Sequence, residues 1–336
     1  MKIDAGLMTA DLASVPENAK RLEAQGYDGI VTAETSHDPF FPLLLAAEHT
    51  QRVELMTSIA VAFARSPMNL ANIGHDLNAY SKGRFVLGLG SQIAPHITKR
   101  FSMPWSSPAA RMRELILAMR AIWKCWYEGE KLNFRGDHYT HTLMTPMFTP
   151  LDTKYGAPKV FLAAVGPLMT EVAGETADGM IIHAFTTAKY VREHTLPAIE
   201  RGLAKAGRKR SEFQLAYPVF VVTGLDAKSW EQSRTAVTKQ IAFYGSTPAY
   251  RPVLEAHGWG ELQSELNAMS KRGEWDEMGR RITDDILEEF AVVGSPNEIP
   301  RKLKQRYGQH VDRVLATFNY TTEDARRAAL EELRAK

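Results

Sequence analysis

Two nearly unbroken apolar runs constrain this chain most: VELMTSIAVAF at residues 53–63 and RFVLGLGSQ at residues 84–92, with a helical segment opening behind Pro67 between them. Neither run alternates apolar with polar residues, so each reads as a strand buried on both faces, the habit of a parallel sheet. Strand, crossover helix and parallel strand make a βαβ unit. Polar and glycine residues stand where each strand gives way to loop: Ser58 in the first run, then Gly88, Gly90, Ser91 and Gln92 in the second. In a barrel of repeated βα units, that C-terminal end of the strands is where chemistry is done.

The rest of the chain repeats the pattern. Strands are predicted over residues 2–8, 29–34, 159–164, 179–184, 213–222 and 311–318, with helices over 15–25, 40–50, 111–127, 168–176, 190–205, 229–244 and 322–335. Eight strands alternating with helices predict a closed (β/α)8 TIM barrel, with an open doubly wound sheet as the alternative. The 336 residues suit one such domain spanning 1–336, with excursions at about 131–158 and 245–289 whose length and aromatic content exceed what a connector needs. The stripe Met112, Leu115, Met119, Ile122 and Trp126 is core-facing helix rather than a cofactor box.

Composition narrows the function classes. With 41 basic and 39 acidic residues the net charge is +2, so nothing in the bulk electrostatics points to nucleic acid or a membrane surface. A lone cysteine, Cys125, excludes an internal disulfide and lies in a helical run as a structural thiol. Residues 1–10 lack the layout of a signal peptide, and no run approaches a membrane span, so the cytoplasm is the expected location. His138 and His141, without cysteines or a matching carboxylate set, do not make a metal site, and none is expected.

Six stretches taken together, GYDGIVTAETSHDPF (26–40), TSIAVAFARSP (57–67), GRFVLGLGSQ (83–92), LAAVGP (162–167), ADGMIIHAF (177–185) and FAVVGSPNEI (290–299), resemble the luciferase-like monooxygenase superfamily. Within it the chain is most similar to oxidoreductases that use the deazaflavin coenzyme F420. The resemblance implies a TIM barrel with a flavin-like ring across its C-terminal mouth, and a bulge after the third strand with a non-proline cis peptide, here matching Ser58–Ile59. It also implies dimerisation through helices near strands two and three, and hence a homodimer.

The same resemblance assigns cofactor contacts to Ser58, Ile59 and Ala60 at the bulge, to Gly90, Ser91 and Gln92 after strand four, and to His96 just beyond. GLGSQI is no dinucleotide fingerprint, because it lacks the third glycine and an immediate helix. Ile93 stands where sugar-phosphate dehydrogenases of the family carry an acidic residue, which argues against that substrate chemistry. Ala164, Val165, Gly166 and Pro167 break strand five, and amides at the start of the following helix favour a phosphate. His183 and Ala184 end strand six, His183 either as a ligand contact or as a satisfied structural histidine. Glu34 and His37 form the polar loop after strand two, as catalytic candidates with His37 the proton donor.

These readings converge on an F420-dependent oxidoreductase moving a hydride between the deazaflavin C5 and a small organic substrate. An FMN-dependent monooxygenase and a non-catalytic flavin- or deazaflavin-binding protein are the alternatives on the same fold.

Overall fold

The computed structural model describes residues 1–7, 11–316 and 322–335. Its principal strands are β1 (Lys2–Gly6), β2 (Gly29–Thr32), β3 (Glu54–Thr57), β4 (Phe85–Gly90), β5 (Lys159–Ala164), β6 (Gly179–Ile182), β7 (Gln214–Pro218) and β8 (Arg313–Leu315). Hydrogen bonding runs β3-β2-β1-β8-β7-β6-β5-β4 and returns from β4 to β3, the closed (β/α)8 barrel expected from the alternation. All four residues of β2 and all six of β4 are buried, which is why these segments carry no polar alternation. The helices are α1 (Val15–Ala24), α2 (Phe40–His49), α3 (Pro67–Tyr80), α4 (Pro108–Glu128), α5 (Pro167–Thr176), α6 (Leu196–Lys205), α7 (Ala227–Gly245), α8 (Gly260–Arg272), α9 (Asp284–Phe290), α10 (Ile299–Tyr307) and α11 (Glu323–Arg334).

By density of contacts the chain divides into two compact units. The larger comprises Ala5–Ile181 and Ala198–Gln214; the smaller comprises Met1–Asp4, Ile182–Pro197 and Leu215–Lys336.

In the larger unit, β2 and β3 pair in register from Gly29↔Glu54 to Thr32↔Thr57, and β4 with β5 from Val86↔Lys159 to Leu89↔Leu162. α4 is the longest helix described there: Pro108 opens it and Gly129 at φ +72° closes it. Met112, Leu115, Met119, Ile122 and Trp126 are all buried along it, as their spacing requires. The excursion after α4 folds back on that helix. A short antiparallel hairpin (Phe134–Arg135 with Thr140–His141) is held by the Glu114 carboxylate, which accepts from the amides of Asp137, His138 and Tyr139. Further on, the Asp152 carboxylate meets His75 Nε2 at 3.0 Å, and Asn78 donates to the carbonyls of Tyr155 and Gly156.

In the smaller unit, β1 and β7 both pair with β8, through Lys2↔Arg313 and Ala216↔Arg313. Asp4 and Arg313 form a bidentate ion pair, 2.7 Å for each hydrogen bond, with both side chains 1% exposed. The predicted strand over 213–222 is two strands. Gln214–Pro218 pairs with β8, where Val219 N–H still donates to the Leu315 carbonyl, and residues Phe220–Val222 pair instead with Ala291–Val293. The second excursion, 245–289, is helical throughout its length apart from short turns. Leu254, Leu266, Met269, Met278 and Leu287 from it pack with Ile241, Phe290 and Phe185 into one core cluster. The predicted first and last strands end inside the described residues, at Gly6 and Leu315; Met8, Phe318 and their neighbours lie outside them.

Candidate functional site

The expected bulge is where β3 ends. The Ser58–Ile59 peptide is cis, and the chain re-enters the ladder as a two-residue strand, Ala60–Val61, beside Leu89 and Gly90. Both glycines of the GLG run are required by this arrangement. A Cβ on Gly88 would stand 1.7 Å from the Thr57 carbonyl oxygen, and one on Gly90 would stand 2.9 Å from the Ile59 side chain. Thr57 completes the join, its hydroxyl donating to the Gly88 carbonyl and accepting from the Gly88 amide. The space at Gly90 is therefore filled by the bulge itself.

The loop after β2 is stitched onto this bulge. Ser58 N–H donates to the Thr32 carbonyl at 2.6 Å, and Glu34 N–H donates to the Ile59 carbonyl at 3.1 Å. One oxygen of the Glu34 carboxylate accepts from the Val61 amide and from the Arg65 guanidinium, both at 2.7 Å. Arg65 also donates to the Val61 carbonyl and to Asp38, and its guanidinium lies 5.2 Å from the centre of the Phe40 ring. Glu34 is 6% exposed, with one carboxylate oxygen held by a backbone amide and a guanidinium, whereas His37 in the same loop is exposed. Neither the Arg65 partnership nor the Val61 amide was legible beforehand, since each lies about thirty residues away in sequence.

The loop after β4 carries Ser91 and Gln92, half-buried, with Gln92 at φ +59°. Ser91 Oγ donates to the Gln92 carbonyl, and the Gln92 side-chain oxygen accepts from Ile93 N–H. His96 is exposed at the start of a helical turn whose Arg100 donates to the Thr35 carbonyl at 2.6 Å, tying this loop to the one after β2. Trp105 meets Phe63 edge-on at 5.7 Å, and the Arg111 guanidinium lies over the Phe63 ring, 4.4 Å from its centre.

Gly166 caps α5 without a side chain, and Pro167 occupies its first turn. Space is open where a Cβ of Gly166 would be, so its backbone is approachable. Both residues open onto a groove of about 910 Å³ between the N-terminal turns of α4 and α5, floored by Ala109, Ala110, Leu168, Met169 and Val172. Its cations are already paired, Arg113 with Glu175 and Lys205 with Glu171. Among the described residues lining this groove, Ser58 and Ser91 are absent.

His183 and Ala184 belong to the smaller unit, just past β6. His183 Nδ1 accepts from the Phe185 amide at 3.0 Å, which leaves the ring proton on Nε2, 3.2 Å from the Tyr250 hydroxyl. Tyr250 stacks on the same ring at 4.6 Å and Tyr244 meets it edge-on at 4.7 Å. Burial pushes the imidazole down to about 4, so it is neutral at ordinary pH. Among the described residues no group of three or more His, Cys, Asp or Glu side chains is placed to hold a metal, and no helix is long and apolar enough to cross a membrane.

Residues 1–313 match the family model described as luciferase-like monooxygenase. The uncharacterized protein Rv1360 of Mycobacterium tuberculosis is 54% identical over 334 residues, covering 99% of this chain and 98% of that one. The 5,10-methylenetetrahydromethanopterin reductase of Archaeoglobus fulgidus is 28% identical, covering 88% of this chain and 87% of its own. Among solved structures, the coenzyme F420 dependent tetrahydromethanopterin reductase from Methanopyrus kandleri superposes with a TM-score of 0.78 at 20% identity, covering 99% of this chain and 98% of that one. The family match and the bulged barrel agree: this chain belongs to the luciferase-like monooxygenase family.

Proposed function

We propose that this enzyme is an F420-dependent oxidoreductase that acts on a small organic substrate, as a homodimer in the cytoplasm. The observation that carries the cofactor reading is the likeness, over most of the chain, to proteins named for F420, among them the F420-dependent glucose-6-phosphate dehydrogenase of Intrasporangium calvum at 26% identity. The residues present fit such a group. The backbone at Gly166 is open, and the first turn of α5 has no side-chain cap, so its amides are available to a phosphate.

In this reading Ser58, Ile59 and Ala60 would back the ring, with Gly90, Ser91, Gln92 and His96 along one side. Ala164, Val165, Gly166 and Pro167 would hold the phosphate, and His183 and Ala184 remain candidate contacts. When bound, the deazaflavin supplies a carbon centre suited to two-electron hydride transfer. The protein's own contribution is orientation and a proton. The bond set of Glu34 keeps the backbone of 58–61 in one conformation, so Glu34 is a positioning residue rather than an acid. His37, exposed between the anchored Glu34 and Asp38, is the proton donor.

Titration of the purified protein with F420 and, separately, with FMN, followed by fluorescence, tests the reading. Saturable binding of F420 with weak binding of FMN is expected. Tight binding of FMN with no response to F420 would overturn it.

A further inference from the structure

We infer that Arg111 is the anchor for an anionic group, a carboxylate or a phosphate, carried by the substrate. Among the described residues two cationic side chains are buried, Arg313 at 1% exposed and Arg111 at 7%. Arg313 has the Asp4 carboxylate at 2.7 Å. The partners of Arg111 among the described residues are all neutral: a hydroxyl, a backbone carbonyl and two aromatic rings. Glu114, one turn along α4, is committed elsewhere, its two oxygens accepting from the amides of Asp137, His138 and Tyr139. A cation taken out of water is costly unless an anion neutralises it. A buried cation that the chain itself leaves unneutralised marks where an anion from outside binds.

The neutral partners fix the guanidinium in one orientation. Nε donates to the Tyr139 hydroxyl at 2.9 Å and Nη1 to the Pro104 carbonyl at 2.6 Å, while one face lies over the Phe63 ring. Nη2 has no acceptor among the described residues. Among those residues the sealed side-chain atoms without a partner are Thr223 Oγ1 and Tyr307 Oη, so Nη2 keeps an edge towards solvent. A guanidinium steadied on its other sides and open at Nη2 is preorganised for an oxyanion, which it grips through charge-assisted N–H···O bonds. Phe63 is buried and Trp105 half-buried beside it, and such apolar walls strengthen the attraction by lowering the local dielectric.

Position chooses the molecule that carries the anion. Phe63 follows directly on the bulge strand Ala60–Val61, and Pro104 and Trp105 belong to the loop after β4, all within the larger unit. The segments set against the ring in the F420 reading therefore also set this guanidinium. The assignment to the substrate rests on that reading, in which the amides at Gly166 take the phosphate of the cofactor and Arg111 is left for the second molecule.

The test is the Nε–H signal of Arg111 in nitrogen-15 spectra of the full chain, assigned as the one missing from Arg111→Lys. Inorganic phosphate or acetate is expected to move that signal saturably, where chloride at the same ionic strength does not, and to do so equally in protein saturated with F420. No saturable movement with either anion would overturn the inference, as would a movement that chloride reproduces. A response abolished by F420 would overturn the assignment to the substrate, because the anion bound there would be the phosphate of the cofactor. Failure to bind F420 with the Arg111 response intact would count against the cofactor and leave the anion site standing. Phosphate is also expected to raise the melting temperature of the wild type more than that of Arg111→Gln, and equal rises would overturn the inference.

Discussion

Replacing Glu34 by Gln separates anchoring from proton transfer at the bulge. The two hydrogen bonds to its carboxylate oxygen, from Val61 N–H and Arg65, are both 2.7 Å, and the side chain is 6% exposed. A hydrogen bond to a charged group contributes about 1.5–3 kcal/mol, against about 1 kcal/mol for a neutral one. Glutamine keeps an acceptor oxygen but no charge, so the loss is at most about 4 kcal/mol for the two bonds together. Arg65 retains Asp38 at 2.9 Å and is 16% exposed, which lowers the cost of its lost partner. The expected destabilisation is about 2 kcal/mol, read as a shift in the urea unfolding midpoint. Because the same bonds hold the backbone of 58–61, affinity for F420 should fall about tenfold, the equivalent of about 1.4 kcal/mol. Asp38→Asn, at a carboxylate already 34% exposed, should cost less on both measures. An unchanged midpoint together with unchanged F420 affinity in Glu34→Gln would refute the anchoring role.

Three further outcomes follow from the packing. Gly88→Ala places a Cβ 1.7 Å from a backbone oxygen and should displace β3 from β4, costing about 3 kcal/mol or more, whereas Gly166→Ala should leave thermal stability within about 0.5 kcal/mol; equal melting temperatures for the two would contradict this. Asp4→Ala leaves the Arg313 guanidinium buried without its carboxylate and should cost about 3–5 kcal/mol in urea unfolding, while Asp4→Leu combined with Arg313→Met should recover much of it. His183 has a folded pKa of about 4 against an ordinary 6.5, so an unfolded chain takes up a proton that the folded one declines. Stability is then full above pH 6.5 and falls as pH is lowered towards 4, by up to about 3 kcal/mol, and His183→Gln should flatten that slope in unfolding measured against pH.

The barrel was legible because its strands are buried on both faces, so β4 and β5 stand out as apolar runs that need no alternation to be recognised. Strand ends were less legible: the run at 53–63 reads as one strand, yet the chain leaves the ladder at Ser58 and rejoins it at Ala60. Likewise 213–222 hides a change of partner, because the residues that receive Phe220–Val222 lie some seventy positions on. The helices within the excursion at 245–289 were not read from its sequence. Its helices are stabilised by packing onto α7, a tertiary effect that local pattern does not carry. At the site, the cis peptide and the glycines were readable through resemblance. The purpose of the glycines was not, since what occupies their missing side chains is Thr57 and Ile59 rather than open space.

The Asp4–Arg313 pair has a consequence for how the chain is made. Asp4, in the first strand of the ring, waits for a partner 309 positions later, in its last strand. During synthesis the strand carrying Asp4 therefore has β2 beside it early, but not its counter-charge until Arg313 has left the ribosome. Ring closure is a late event, and a chain cut short before Arg313 would strand a carboxylate in an interior that has nothing to neutralise it.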